Sequence, residues 1–377
     1  MNRALDPDPH KIVNDDKSHA WHHLSQHKTL QDSDPLVVVE GDGMRLRDLN
    51  GKSYLDATSG GVWTVNVGYG RARIADAVRD QLARMCYFAN TASNIPAARL
   101  AQQLASKMPG ISRIYYSNSG SEANEKGYKL VRQLAAMKND GRKHKIIYRQ
   151  RDYHGTTITA LSSTGQSQRK DQYGPLTPGF VEMPHCSAYH APNGDHPDFG
   201  VQAARELEKV ILREGADTVG AVVLEPITAG GGVIVPPPGY FETIGEICRK
   251  YGVLLHMDEV VCGMGRTGKW FGYQHFDAQP DIVTMAKGIA SGYAAISVTA
   301  TTEALFDQFL AEPSDTMHYF RDISTFGGCA AGPAAALENM RIIEEENLLD
   351  NVNRMGDYLL GRLEELKDKH PLVGDVR

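Results

Sequence analysis

The strongest constraint on the fold of this chain is an alternation of short apolar runs with segments of helical periodicity. The helical patterns cover residues 122–137, 200–214 and 240–251. The runs have the length and β-rich composition of strands, and they cover residues 113–117, 145–149, 220–224, 253–257, 281–285 and 296–300. Strands separated by helices form βαβ units, so the sequence predicts an α/β fold with a mostly parallel sheet flanked by helices.

Different patterns flank this alternating region. Residues 36–39 and 44–49 are predicted to be two strands joined by a glycine-containing turn. Apolar residues recur at helical spacing over 74–85, and two long helical patterns cover 334–346 and 348–370. The chain is therefore expected to begin with a small β-rich segment and to end in helices.

The composition excludes several kinds of partner. With 40 basic and 46 acidic residues the formal net charge is −6, and no run of lysines and arginines occurs, so we expect no nucleic acid partner. The longest apolar runs, such as 219–224, are too short to cross a bilayer, so no membrane partner is expected either. The polar leader, residues 1–27, lacks the apolar segment of a signal peptide, which predicts a cytoplasmic location.

Neither a metal nor a disulfide is expected. The five cysteines are odd in number and none is paired at CxxC spacing, which favours buried, reduced thiols. Four histidines cluster in the leader, but no cysteine or carboxylate lies at a spacing that fits a zinc site. These are His19, His22, His23 and His27. A solvated leader explains these four histidines more simply than a metal site does.

A hydroxyl-rich turn follows the run at 113–117 and leads into a helical pattern. It contains Ser119, Gly120 and Ser121. Backbone N–H groups at a helix start, together with serine hydroxyls, bind a phosphate dianion. A simple helix cap is the alternative interpretation, because serine is favoured at that position for its own sake.

Two further charged residues each follow an apolar run. Asp258 stands where the run at 253–257 ends and could hold a cation, with a metal ligand or a helix cap as alternatives. Lys287 follows the run at 281–285; if it is shielded from water it becomes nucleophilic, although an exposed lysine is the simpler interpretation. A phosphate cradle, a carboxylate and an amine together match the phosphate, the pyridine nitrogen and the aldehyde of pyridoxal 5'-phosphate.

The motifs that carry these residues resemble those of the class III, or ω-amino-acid, aminotransferases. In order, the chain contains SNSGSEAN at 117–124, YHG at 153–155, LEPI at 224–227, DEVVCGMGRTG at 258–268 and AKG at 286–288. The resemblance extends over residues 21–377. It implies a pyridoxal-phosphate-dependent transferase of fold type I, with a large cofactor-binding domain and a smaller α+β domain built from both chain ends.

The resemblance also implies domain boundaries. We expect residues 1–70 to contribute to the small domain, residues 71–328 to form the large domain, and residues 329–377 to begin the C-terminal part of the small domain. The pattern at Val376-Arg377 is that of a strand about to begin. We therefore expect the small domain to be truncated there.

Roles for individual residues follow from the resemblance. Lys287 would be the Schiff-base lysine and proton carrier, and Asp258 would pair with the pyridine nitrogen. Tyr153 and Val260 would pack on opposite faces of the cofactor ring. The remaining cofactor-binding residues would be Ser119, Gly120, Ser121, His154, Glu225 and Thr325. Thr325 would reach the phosphate of a neighbouring subunit, which implies a homodimer.

The resemblance is stronger still to the branch of the family that uses taurine, through the long strings at 21–28, 59–70, 256–263 and 319–328. It implies a ping-pong transfer of the amino group of taurine to pyruvate, which gives sulfoacetaldehyde and L-alanine. Trp63 and Phe88 would line the substrate pocket or serve the core. No arginine is assigned to the sulfonate.

Other functions remain open from the sequence. An aminotransferase for β-alanine or another ω-amine would share these motifs, and so would an aminomutase or a decarboxylase. A catalytically silent regulator that binds the cofactor is a third alternative. A nicotinamide dehydrogenase is disfavoured, because the GxGxxG match at 263–268 is not followed by the helix that a dinucleotide site needs.

Overall fold

The computed structural model describes residues 8–189 and 191–377, so the first seven residues of the leader lie outside the described part. Internal contacts divide the chain into two units. The first unit ends at Ala72 and the second runs from Arg73 to Arg377. The domain boundaries expected at residues 70 and 328 remain predictions.

The first unit contains two helices and a small antiparallel sheet. The elements are α1 Pro9–His19, α2 His27–Asp32, β1 Val38–Asp42, β2 Arg45–Asp48, β3 Ser53–Leu55 and a π-helical turn at Ser59–Trp63. β2 pairs with both β1 and β3 in antiparallel register. β2 lies within the predicted strand at 44–49, whereas β1 is shifted from the predicted 36–39 and includes residues 40–42, which were expected to form the turn. The three-residue β3 was not predicted.

A seven-stranded sheet forms the second unit. Its strands are β4 Ile111–Ser117, β5 Lys145–Arg149, β6 Phe180–Met183, β7 Val219–Leu224, β8 Leu254–Asp258, β9 Ile282–Met285 and β10 Ser297–Thr302. Their spatial order is β4-β10-β9-β8-β7-β5-β6. The pairs from β9 to β6 are parallel, and β10 is antiparallel to both of its neighbours.

Helices precede, connect and follow these strands. They are α3 Ala72–Arg84, α4 Ile95–Lys107, α5 Gly120–Lys138, α6 Ile158–Ser162, α7 Ser167–Lys170, α8 Phe199–Glu214, α9 Tyr240–Tyr251, α10 Glu303–Phe306, α11 Ala331–Glu345 and α12 Leu348–Lys369. Short 3₁₀ turns lie at Gly272–His275, Lys287–Ile289, Asp307–Phe309 and Thr325–Gly328. No helix in the described part of the chain is long and apolar enough to span a membrane. The predicted α/β fold with a mostly parallel sheet is confirmed.

The core lies at the centre of this sheet. All six residues of β7 are buried, as expected for a strand covered on both faces by helices. α9 shows the complementary pattern, because its apolar residues recur on one face and that face is buried. Gly252 ends α9 in the left-handed conformation, at a φ of 57°, which glycine adopts without a steric penalty.

The strand directions decide where the site lies. β10 is antiparallel to β4 on one side and to β9 on the other, so β4 runs in the same direction as the parallel strands. The carboxyl ends of β4, β5, β7, β8 and β9 therefore share one edge of the sheet. Ligands of open α/β sheets bind at this edge.

Candidate active site

Asp258 ends β8 at this edge, and its carboxylate takes part in three hydrogen bonds. It is 2% exposed. Its Oδ2 lies 2.7 Å from the Asn124 amide nitrogen and 2.8 Å from His154 Nδ1, and its Oδ1 accepts a bond of 3.0 Å from the Val260 N–H. Burial by itself would raise the pKa of Asp258, but the bonds from these neighbours hold it below the ordinary value of 3.8. Asp258 is therefore a buried, stable anion.

The adjacent acid, Glu259, faces away from Asp258. Its two oxygens accept bonds from the N–H groups of Gly272, at 2.8 Å, and Tyr273, at 2.7 Å. Burial without a cation raises the pKa of Glu259 to about 8. Of the two neighbouring acids, only Asp258 carries the permanent negative charge that a cationic ring nitrogen requires.

Lys287 follows β9 on the same edge. Its φ of 43° lies in the left-handed region, which is uncommon for a residue with a side chain and marks local strain. Burial lowers the pKa of its ammonium group below 10.5, although the charges of Asp258 and Glu225 act in the opposite direction. Within residues 8–189 and 191–377 its Nζ has no hydrogen-bond or ion-pair partner. The structure thus leaves this amine available for reaction.

The turn between β4 and α5 is both capped and open to an anion. The Ser119 hydroxyl accepts a bond of 3.3 Å from the Glu122 N–H, and the Glu122 carboxylate caps the turn in return. The first N–H groups of α5, including those of Gly120 and Ser121, have no acceptor within the helix. A Cβ at Gly120 would come within 3.0 Å of Val260, so glycine permits the close approach of this turn to the residue after Asp258.

Tyr153, His154 and Glu225 come together at the ends of β5 and β7. The Glu225 carboxylate accepts bonds from the N–H groups of Tyr153, at 2.8 Å, and Ala229, at 3.0 Å. Burial and the charges of nearby acids raise the pKa of Glu225 well above 4.5. Glu225 therefore fixes the main chain at Tyr153, while His154 bonds to Asp258 as described.

A buried arginine supports this corner and was not detected in the sequence. Arg149 is fully buried at the end of β5. Its guanidinium donates to the Asp152 carboxylate at 3.1 Å, to the Glu225 carbonyl at 2.6 Å and to the Thr228 hydroxyl at 3.0 Å. The apolar context of residues 145–149 indicates only a strand, and no spacing signal relates Arg149 to Glu225 and Thr228, which lie 76 and 79 residues further along the chain.

Of the predicted residues in the second unit, Phe88 and Thr325 do not lie in this cluster. Trp63 belongs to the first unit, where it is 41% exposed. Phe88 is 57% exposed in the second unit, and its N–H lies 3.4 Å from the carbonyl of Gly328. Thr325, in the same turn as Gly328, is also exposed. Their substrate and subunit roles remain predictions.

The clustered residues fit the chemistry of pyridoxal phosphate. A carboxylate oxygen accepts up to two hydrogen bonds, and Asp258 Oδ1 accepts one within the described chain, from Val260. A ring N–H could thus be accommodated at Asp258, an aldehyde at the Lys287 amine and a phosphate at the start of α5. Among the described residues no group of three or more histidines, cysteines and acids could hold a metal ion.

Comparison with known proteins agrees with this chemistry. A family model described as aminotransferase class III matches residues 28–377. The taurine–pyruvate aminotransferase of Bilophila wadsworthia is 61% identical over 98% of this chain and 80% of its own length. The hypotaurine/taurine–pyruvate aminotransferase of Paracoccus denitrificans is also 61% identical, over 100% of this chain and 82% of its own length.

A solved structure supports the fold independently. The crystal structure of a Bacillus anthracis aminotransferase superposes with a TM-score of 0.93 at 39% identity, covering 99% of this chain and 82% of that one. The likeness spans the sheet and all the elements that carry the cluster. It confirms the expected fold type I.

Proposed function

The chain belongs to the class III aminotransferases, and from that premise we propose that it transfers the amino group of taurine to pyruvate. The products are sulfoacetaldehyde and L-alanine, released one after the other in a ping-pong sequence. The observation that carries the proposal is the 61% identity to enzymes named for taurine and pyruvate, over nearly the whole chain. An aminotransferase acts on small molecules, so neither a macromolecular substrate nor a membrane is needed.

The proposed cofactor is pyridoxal 5'-phosphate. When bound, it supplies an aldehyde that takes up an amino group and a pyridinium ring that withdraws electrons from the substrate carbon. Asp258, kept anionic by Asn124 and His154, would hold the ring nitrogen in its protonated form. The turn at Gly120 and Ser121 would bind the phosphate.

Lys287 carries the proton in this mechanism. Lys287 is partly buried, and this burial disfavours the charged form of its amine, so the amine can attack a carbonyl carbon and later act as a general base. Nζ would take a proton from the substrate carbon and deliver it to a carbon of the cofactor. Glu225, whose carboxylate accepts a bond from the Tyr153 N–H, would hold the main chain of Tyr153 in place.

The proposed assembly is a homodimer. Thr325 is exposed, and it lies in the turn Thr325–Gly328 with Phe326, which is 65% exposed. A polar hydroxyl beside an exposed aromatic ring suits a contact between subunits, in which Thr325 would reach the partner's phosphate. The mass of the cofactor-loaded protein in solution tests this part: twice the chain mass supports it, and the mass of a single chain contradicts it.

The substrate proposal is tested by product analysis. Alanine formation from pyruvate is followed by mass spectrometry with taurine, hypotaurine, β-alanine and putrescine as donors, and Lys287→Met serves as the matched control without the amine. We expect taurine to give the highest kcat/KM and the Met variant to give no product. A larger kcat/KM for β-alanine or putrescine would reject taurine but keep the aminotransferase activity. No product from any donor would favour a silent cofactor-binding protein.

A further inference from the structure

A line of buried polar side chains runs away from Asp258 into the sheet. The Asn124 amide nitrogen donates to Asp258 Oδ2 at 2.7 Å, and Asn124 Oδ1 accepts a bond of 2.7 Å from the Thr284 hydroxyl. The Thr284 oxygen in turn lies 3.1 Å from His256 Nε2. Asn124, Thr284 and His256 are each at most 1% exposed. The line therefore exchanges no bonds with bulk water.

The sequence builds this line from two strands and one helix. His256 and Asp258 are two residues apart on β8 and so face the same side of the sheet. Thr284 lies directly opposite Asp258 in the parallel register with β9. α5 covers this face with Asn124 and, three residues later, Gly127. A Cβ at Gly127 would come within 2.6 Å of His256 Cε1, so glycine makes room for the imidazole.

The hydrogen-bond directions in this line follow from its acceptors. The Asn124 amide nitrogen faces two oxygens that can only accept, the Asp258 carboxylate and, at 2.7 Å, the His154 carbonyl. The amide oxygen must therefore point to Thr284, whose hydroxyl donates to it. The Thr284 oxygen can then accept from His256 Nε2. Burial lowers the pKa of His256 to about 3, so the neutral ring has one proton, and its unpartnered Nδ1 is the unprotonated nitrogen.

We propose that Thr284 and His256 are positioning residues, which orient the Asn124 amide so that Asp258 stays ionised and fixed for the pyridine nitrogen of the cofactor. The inference rests on the proposed use of pyridoxal phosphate. Without the Thr284 hydroxyl, Asn124 Oδ1 becomes a buried acceptor with no donor, and the amide is held only by the two bonds of its nitrogen. The negative charge of Asp258 then loses one of its hydrogen bonds for part of the time.

The test uses variants at Thr284 and a matched threonine. Thr284→Val removes the hydroxyl and keeps the shape, whereas Thr284→Ser keeps the hydroxyl. Thr299→Val is the control, because Thr299 is 2% exposed on the adjoining β10 and its hydroxyl donates to α5 at the Ala123 carbonyl, at 2.8 Å. It touches the same helix without being part of the line to Asp258. The measured quantities are the dissociation constant of pyridoxal phosphate and the urea midpoint of the cofactor-free protein.

We expect Thr284→Val to weaken cofactor binding on the order of tenfold, the size of a hydrogen bond to a charged group. Thr284→Ser should bind nearly as the wild type does. Thr299→Val should lower the urea midpoint comparably but leave the dissociation constant unchanged. Equal dissociation constants for the wild type and Thr284→Val would overturn the inference and leave the proposed function standing. Failure of the wild type to bind pyridoxal phosphate would overturn both.

A second variant covers the case in which Thr284→Val does not fold. His256→Phe keeps a ring against Gly127 and removes the donor to Thr284. Because the hydroxyl can still donate to Asn124, we expect a smaller loss of cofactor affinity, roughly threefold. An unchanged dissociation constant for this variant would also overturn the inference.

Discussion

Replacement of Asp152 by asparagine tests the buried charge pair that supports the site. Asp152 and Arg149 are both fully buried. Asp152 Oδ1 accepts from two guanidinium nitrogens, at 3.1 and 3.3 Å, and Oδ2 accepts from the Glu225 N–H at 3.0 Å. Asp152→Asn removes the negative charge with almost no change in shape. The Arg149 cation then remains buried without a counter-charge.

The expected loss of unfolding free energy follows from these contacts. Breaking a buried ion pair by removing one partner costs about 3–5 kcal/mol. The asparagine oxygen can keep either the two Arg149 bonds or the Glu225 bond, and its NH₂ group would then face the remaining donor. That mismatch leaves one buried donor unpaired, which costs about 1–3 kcal/mol. We expect a net loss near the lower end of their sum, about 4 kcal/mol.

Urea-induced unfolding measures this loss, and a surface pair provides the control. Arg142 and Asp217 lie 3.1 Å apart with both side chains more than 60% exposed, so Asp217→Asn should have no measurable effect. A loss of less than about 1 kcal/mol for Asp152→Asn, or a loss equal to that of the control, would refute the reasoning that burial makes this pair indispensable.

Two further predictions concern groups near the sheet. Gly127→Ala should lower the unfolding free energy by about 1–3 kcal/mol, because its Cβ would overlap the His256 ring. Gly356→Ala, in α12 with nothing within 4 Å, should instead raise it by up to about 1 kcal/mol, and a loss at both positions would contradict the packing argument. Burial raises the pKa of Glu259 from 4.5 to about 8, so the folded chain keeps a proton that the unfolded chain releases between these pH values. The contribution of Glu259 to the unfolding free energy is therefore lost as pH rises through that window. Urea unfolding should show that the unfolding free energy of the wild type falls relative to that of Glu259→Gln over this pH range. A difference between the two proteins that does not change with pH would contradict the prediction.

The strand ends could be predicted because local sequence signals mark them. The runs that end near Ser117, Met257 and Met285 are apolar and bounded by small or charged residues, and each of these strands ends within one residue of the expected position. The antiparallel direction of β10 left no such signal. Strand direction depends on the path of the preceding connection, and a buried strand has the same apolar pattern in either direction.

Within the site, the sequence identified the residues with distinctive chemistry but not those that support them. Asp258 and Lys287 could be identified because, together with the hydroxyl-rich turn, they match the groups of pyridoxal phosphate, and because both lie in motifs that resemble those of the family. Asn124 ends the motif at 117–124 with no chemistry that the sequence marks, and Thr284 has the pattern of an ordinary strand residue. Their roles depend on the register of β8 with β9 and on the placement of α5, which are properties of the tertiary structure.

The most direct test of the central claim is the visible absorption of the purified chain with pyridoxal phosphate, compared with Lys287→Ala. We expect an absorption band that depends on Lys287, because a partly buried amine with a lowered pKa is the group that would bind the cofactor covalently. The band should bleach when taurine is added and return when pyruvate follows. Identical spectra for the wild type and a folded Lys287→Ala variant would contradict the account.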